Sequence, residues 1–228
     1  GTPGEQFVLI LELKTMADVG LVGYPNAGKS TLLRAISKAR PKVAPYPFTT
    51  LHPVVGVVDT HDYRRLTVAD IPGLIEGAHD NVGLGHAFLK HIERTHILAY
   101  VLDMGAVDGR NPIDDFRHLQ NELELYMKGL SQRPCVIVAN KMDLPNAQEN
   151  LELLKIELET ELIPIIPVCA EAGVTGDLVP ELESRVEALR AASPLAAIHT
   201  PDGAELLARD LDWDDAAPAV SVAESDQP

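Results

Sequence analysis

No run of about 18 consecutive apolar residues occurs in the 228-residue sequence, so no segment is long enough to cross a bilayer as a helix. Cysteine is nearly absent. Cys135 and Cys169 each sit in an apolar, strand-like run, which speaks against a disulfide framework and for reduced thiols in a core. Neither a signal peptide nor a basic transit segment opens the chain. Gly1-Thr-Pro-Gly-Glu-Gln6 reads as the middle of a domain, so the sequence is expected to be a piece of a longer chain. Positive charge is short as well: 19 Lys and Arg face 34 Asp and Glu, for a net charge of −15. The deficit is uneven. Residues 1–100 hold 10 basic and 9 acidic residues, residues 101–190 hold 8 and 17, and residues 191–228 hold 1 and 8. A nucleic-acid partner is therefore expected to meet the first half, through residues such as Arg34, Lys38, Arg40, Lys42, Arg64, Arg65, Lys90 and Arg94, although solvated surface explains them equally well.

What the chain does have is organised around residues 17–31. Val19 to Val22 is an apolar run fit for a buried strand, and it enters Gly23-Tyr-Pro-Asn-Ala-Gly28-Lys29-Ser30. Leu32, Leu33 and Ile36 then recur at helical spacing. A strand, a turn bounded by glycines and a helix N-terminus form a phosphate cradle: Gly23 and Gly28 let the backbone curl so that several N–H groups converge on a β-phosphate. Lys29 adds a point charge toward the β- and γ-phosphates, and the Ser30 hydroxyl suits one Mg²⁺ position.

Length and a 46% hydrophobic fraction suit one domain with attachments. Phe7 to Lys14 reads as the last strand of a preceding domain. Arg40 to Pro53 holds four prolines, which preclude a helix and predict a restricted loop. Strands are expected over 54–60, 66–69, 97–102, 135–140 and 163–169, and helices over 87–94, 113–130, 147–161 and 175–191, with Leu119, Leu123, Tyr126 and Leu130 on one face of the second. Alternating strands and helices predict an α/β fold with a doubly wound, mostly parallel sheet of six strands and ligands at the carboxyl ends of the strands. The acidic residues 191–228 are expected to be mostly disordered, with 203–211 able to form a short helix.

The remaining motifs fall at strand ends. Asp70-x-x-Gly73 offers a carboxylate for Mg²⁺ through water and an N–H for the γ-phosphate. Asn140-Lys141-x-Asp143 selects the base, because the Asp143 carboxylate accepts the N1–H and 2-amino donors of guanine, a pair adenine lacks. Cys169-Ala170-Glu171 ends the last strand, where the Ala170 N–H is placed for guanine O6. His86 and His91 lack a third nearby ligand, so no histidine metal site is expected. Met16, Met104, Met127 and Met142 read as packing or surface residues, and Asp114-Asp115 as a helix cap.

The order of these motifs, together with Tyr46-Pro-Phe-Thr-Thr-Leu51, Asp70-Ile-Pro-Gly-Leu-Ile-Glu-Gly-Ala-His79 and Gly83-Leu-Gly-His-Ala-Phe-Leu-Lys-His-Ile-Glu-Arg94, closely resembles the Obg family of GTPases over about residues 1–190. Glu122 to Pro134 and Ala139 to Gln148 are most similar to its mitochondrial branch. The resemblance implies a P-loop NTPase fold of the small-GTPase type. Residues 1–16 become the end of a glycine-rich domain, 17–190 the G domain and 191–228 the tail. It implies a Mg²⁺-dependent, slow GTPase that binds GTP and GDP and assists assembly of the large ribosomal subunit on its rRNA. Such a protein is expected to be a monomer of the mitochondrial matrix, or alternatively of a bacterial-type cytoplasm or a plastid. Subunit binding is expected to need the absent N-terminal domain.

Carried over position by position, the resemblance assigns nucleotide contact to Gly23, Tyr24, Pro25, Asn26, Ala27, Gly28, Lys29, Ser30 and Thr31, to Phe48, Thr49, Thr50, Leu51 and His52, to Asp70, Ile71, Pro72 and Gly73, to Asn140, Lys141, Met142 and Asp143, and to Cys169, Ala170 and Glu171. Ser30, Thr50 and Asp70 would hold Mg²⁺, while Asn26, Lys29, Thr50 and Gly73 would act on the transferred phosphate. Cys169 replaces the usual serine, a change expected to matter little if the backbone makes the contacts. Leu74 stands where many related GTPases have a water-orienting glutamine, and similar glutamine-lacking GTPases use an asparagine at the place of Asn26 to coordinate K⁺. The competing class is a nucleotide-gated binding module, governed by GDP or a stress nucleotide, in which hydrolysis is incidental.

Overall fold

The computed structural model describes residues 17–38, 40–43, 53–60, 64–71, 95–192, 198–199 and 205–206. The strand expected over 7–14, the helix over 87–94 and the segment 44–52 lie outside them. The chain divides into two compact units, Gly1–Glu187 and Ala188–Pro228.

The first unit is built on one sheet. Its strands are β1 (Ala17–Val22), β2 (Lys42–Val43), β3 (Val54–Asp59), β4 (Arg65–Asp70), β5 (Thr95–Asp103), β6 (Cys135–Asn140) and β7 (Ile165–Pro167), in the order β2-β3-β4-β1-β5-β6-β7. The five from β4 to β7 run parallel, and the β2–β3 and β3–β4 pairs are antiparallel. The sheet thus has seven strands rather than the expected six. The seventh is Lys42–Val43, which pairs with Val54 and Val55 at the sheet edge. Prolines at 41 and 45 preclude a helix there, but Lys42 and Val43 keep their N–H groups, enough for a two-residue edge pairing.

All six residues of β1 and all six of β6 are buried, as is the run Ile97–Leu102 in β5. Strands covered on both faces read as continuous apolar runs, which is why these three were legible in the sequence. Register between β1 and β4 is pinned by a charge: Asp18 Oδ2 accepts from the Thr67 N–H at 2.9 Å and from its hydroxyl at 2.8 Å.

The helices are α1 (Lys29–Ile36), α2 (Pro112–Tyr126), α3 (Ala147–Glu157) and α4 (Leu178–Ala192), with a 3₁₀ turn at Leu130–Gln132. Each turns an apolar stripe inward: Leu32 and Leu33 from α1, Phe116, Leu119 and Leu123 from α2, Leu151 and Leu154 from α3, Leu178, Leu182 and Val186 from α4. Phe116 meets Tyr100 edge to face at 5.1 Å. Helix α2 stops at Tyr126, short of the expected residue 130, because Gly129 adopts a left-handed φ of 88° and starts the 3₁₀ turn that buries Leu130. The Glu124 carboxylate fastens this corner, accepting from the Gly129 N–H at 3.0 Å and the Ser131 hydroxyl at 2.6 Å. Both cysteines are free and buried. Burial pushes the Cys135 thiol up to about 11.

In the second unit Ile198–His199 pairs antiparallel with Glu205–Leu206. The short helix expected over 203–211 is therefore not formed at 205–206. Pro201-Asp202-Gly203 is turn chemistry, which suits two paired strands better than a helix start.

Candidate functional site

Four strands end on one edge of the first unit: β1 enters Gly23, β4 ends at Asp70, β5 at Asp103 and β6 at Asn140. The β1–α1 loop passes over this edge and can do so only with glycine at two points. A Cβ on Gly23 would lie 2.5 Å from the Val101 carbonyl oxygen. Gly28 caps α1 with φ 97°, and a Cβ there would lie 2.3 Å from Asn140 Nδ2. Asn26, between them, is also left-handed, at φ 64°.

Lys29 folds back over the loop it follows. Its ammonium donates to the carbonyls of Gly23 at 2.7 Å and Tyr24 at 3.0 Å. Burial lowers its pKa, and the nearby Asp70 carboxylate opposes that shift. A cation held on weak carbonyl acceptors in a desolvated place gains most by exchanging them for phosphate oxygens. Ser30 donates its hydroxyl to Asp70 Oδ2. Hydroxyl and carboxylate thus converge on one point beside the helix N-terminus, an all-oxygen donor pair that fits Mg²⁺.

Asn140 joins the motifs. It is 2% exposed, its amide nitrogen donates to the Ala27 carbonyl at 2.8 Å, and its Oδ1 accepts from the Ala170 N–H at 3.1 Å. One buried side chain therefore ties the phosphate loop to both segments expected to meet the base. The Ala170 N–H, expected to point at guanine O6, is committed to this bond. Lys141 holds φ 63° and pairs with Asp103 at 2.7 Å. Asp143 Oδ1 accepts from the Cys169 thiol at 3.0 Å. That bond lowers the Asp143 pKa and raises that of Cys169. The side chain at 169 is thus engaged, contrary to the expectation that only its backbone matters.

A cavity of about 420 Å³ lies among these groups, lined by Asn26, Gly28, Lys29, Ser30, Thr31, Asn140, Lys141, Asp143, Leu144, Ala170 and Glu171. Other predicted contact residues are placed elsewhere. Tyr24, Pro25 and Ala27 face a smaller pocket behind the loop, Ile71 is 1% exposed, and Met142 packs against the core. Phe48, Thr49, Thr50, Leu51, His52, Pro72 and Gly73 lie outside the described residues. Sequence reasoning missed Asp103 and Leu144. Asp103 ends a buried strand on the site edge, a position that could have marked it.

A phosphate loop and an N-K-x-D turn, held together around one cavity at the carboxyl edge of this sheet, define a P-loop domain of the GTPase class. A family model described as 50S ribosome-binding GTPase matches residues 18–141, more than half of the chain. The GTPase Obg of Akkermansia muciniphila is 52% identical over 189 residues, 83% of this chain and 53% of the relative. That of Geobacillus thermodenitrificans is 56% identical over 170 residues, 75% of this chain and 39% of the relative. The solved G domain of the T. maritima FeoB iron transporter, 21% identical, has a TM-score of 0.54 over 77% of this chain and 98% of its own; it shares the fold. The chain belongs to the family that the 50S ribosome-binding GTPase model describes, and it matches the Obg GTPases as their G domain. It spans about half or less of the length of these curated relatives.

Proposed function

We propose that this chain is the GTP-binding and GTP-hydrolysing part of an Obg-type switch that assists assembly of the large ribosomal subunit, in mitochondria. The observation that carries the nucleotide reading is Asn140, whose buried amide joins Ala27 of the phosphate loop to Ala170 beside Asp143. In this reading Asp143 takes the guanine N1–H and 2-amino group, Lys29 leaves its two carbonyls for the β- and γ-phosphates, and the N–H groups of the loop receive the β-phosphate. Ser30 and Asp70, with Thr50 by resemblance, would hold Mg²⁺, which when bound neutralises charge on the phosphate oxygens. The ribosomal partner is supported by the family's description and by the near-neutral, basic-spotted first half of the chain. The compartment rests on the likeness of Glu122–Pro134 and Ala139–Gln148 to the mitochondrial branch.

Single-turnover GTP hydrolysis, with and without purified large subunits, tests the switch. Slow hydrolysis that subunits accelerate, in protein carrying the complete N-terminal portion, is the expected result. Hydrolysis indifferent to subunits would favour a GDP or stress-nucleotide sensor. Ser30→Ala is expected to weaken Mg²⁺-dependent GTP binding roughly tenfold or more, read by titration calorimetry at fixed Mg²⁺. An affinity equal to that of the unaltered chain would remove Ser30 from the metal.

With Leu74 in place of a glutamine, charge between the β- and γ-phosphates needs another support. Asn26 lines the cavity, and its amide nitrogen lies 3.4 Å from Asp108 Oδ2, which leaves Oδ1 as the acceptor for a monovalent cation. Hydrolysis is expected to run faster in K⁺ than in Na⁺ at constant ionic strength, with the gain lost in Asn26→Ala. Equal rates in the two salts, free and with subunits, would rule out K⁺ while leaving the GTPase reading intact.

A further inference from the structure

The left-handed turns at Asn26 and Gly28 persist only where their surroundings dictate them. On the inner side the loop is held by Lys29 and Asn140. Its outer side is held by a different element, the β5–α2 loop that runs from Asp103 to Asn111. The Arg110 guanidinium carbon lies 3.8 Å from the centre of the Tyr24 ring, and Tyr24 is a buried anchor at 7% exposure. The guanidinium is fixed in turn, because Arg110 Nε donates to Asp115 Oδ1 at 2.8 Å.

Asp115 is set by the start of α2. Its N–H bonds the Asn111 carbonyl at 2.9 Å, and Asn111 caps the helix by accepting the Ile113 N–H at 2.8 Å. Burial raises the Asp115 carboxyl above its ordinary range, and the bond and charge of Arg110 oppose part of that rise. Arg110 does not line the nucleotide cavity. It faces the small pocket behind the loop with Tyr24, Pro25, Ala27 and Asp115, so it reaches a phosphate only through the loop.

Resting on the nucleotide reading above, we propose that Arg110 is a positioning residue for phosphate binding: its guanidinium, held by Asp115, clamps the Tyr24 ring and keeps residues 24–28 in the shape that turns their N–H groups toward the β-phosphate.

The test is the release rate of N-methylanthraniloyl-GDP from the 228-residue chain, followed by stopped flow. Arg110→Met keeps the aliphatic stem and removes the stacked cation; it is expected to speed release roughly five- to tenfold, the range for a partly desolvated cation–π pair. Arg110→Lys, which keeps the charge without the flat fork, is expected to fall between the two. In a Tyr24→Leu background Arg110→Met should add less than about twofold, because the ring it acts through is gone. Melts with and without GDP separate positioning from plain packing. Positioning predicts that the GDP-induced rise in Tm shrinks while the nucleotide-free Tm moves little. Unchanged release from Arg110→Met, an equal effect in the Tyr24→Leu background, or an equal drop of both melts overturns the role of Arg110 alone. An unaltered chain that retains no guanine nucleotide overturns the nucleotide reading and this proposal together.

Discussion

Asp143→Asn is expected to weaken GTP binding on the order of a hundredfold or more and to shift preference toward xanthosine triphosphate. Guanine offers two donors, N1–H and the 2-amino group, to one carboxylate. An amide accepts from one of them and sets its own N–H against the other, leaving donors unpaired in a confined site. Xanthine carries an oxygen in place of the 2-amino group, and the new amide donor suits it. The bond from the Cys169 thiol holds the Asp143 carboxyl below its ordinary range, so it favours the charged form that accepts both donors. Competition titrations with GTP and xanthosine triphosphate measure the effect. GTP affinity unchanged in the variant would remove Asp143 from base recognition.

The motifs legible in the sequence were those whose chemistry is local. Gly23, Gly28, Lys29 and Ser30 sit within one turn between a strand and a helix, so residue type and spacing alone describe a phosphate cradle. Asn140 and Asp143 were legible for the same reason, at the end of a strand whose six residues are all buried. What spacing could not show is which side of a loop a side chain leaves by. Tyr24 lies within the phosphate motif yet faces Arg110, 86 positions later, and Met142 lies within the base motif yet packs against the core. The task of Asn140 was hidden too: its amide spans 113 positions to Ala27 and 30 to Ala170, and a motif read in isolation assigns it only to the base. The edge strand Lys42–Val43 was missed because two residues carry no periodicity, and neighbouring prolines argued for a loop.

The hidden task of Asn140 gives the second large effect, in Gly28→Ala. An alanine at φ 97° carries the left-handed penalty of about 1–2 kcal/mol. That term can be isolated with Gly173→Ala, where φ is 71° and a Cβ meets nothing within 4 Å. At Gly28 the added carbon would lie 2.3 Å from Asn140 Nδ2, so the amide has to move. Moving it strands the Ala27 carbonyl and the Ala170 N–H, and each unmet buried group costs a further ~1–3 kcal/mol. The sum is roughly 3–8 kcal/mol, against about 1–2 for the control. Gly28→Ala is therefore expected to lower the melting temperature by about 10 °C or more and to abolish GTP binding, while Gly173→Ala loses a few degrees and keeps its nucleotide. Because the clash runs through one side chain, the cost should also be non-additive: with Asn140→Ala already present, Gly28→Ala should add little beyond its backbone strain. A Gly28→Ala chain that melts like Gly173→Ala and still binds GTP would show that Asn140 does not couple the phosphate loop to the base-recognising segments.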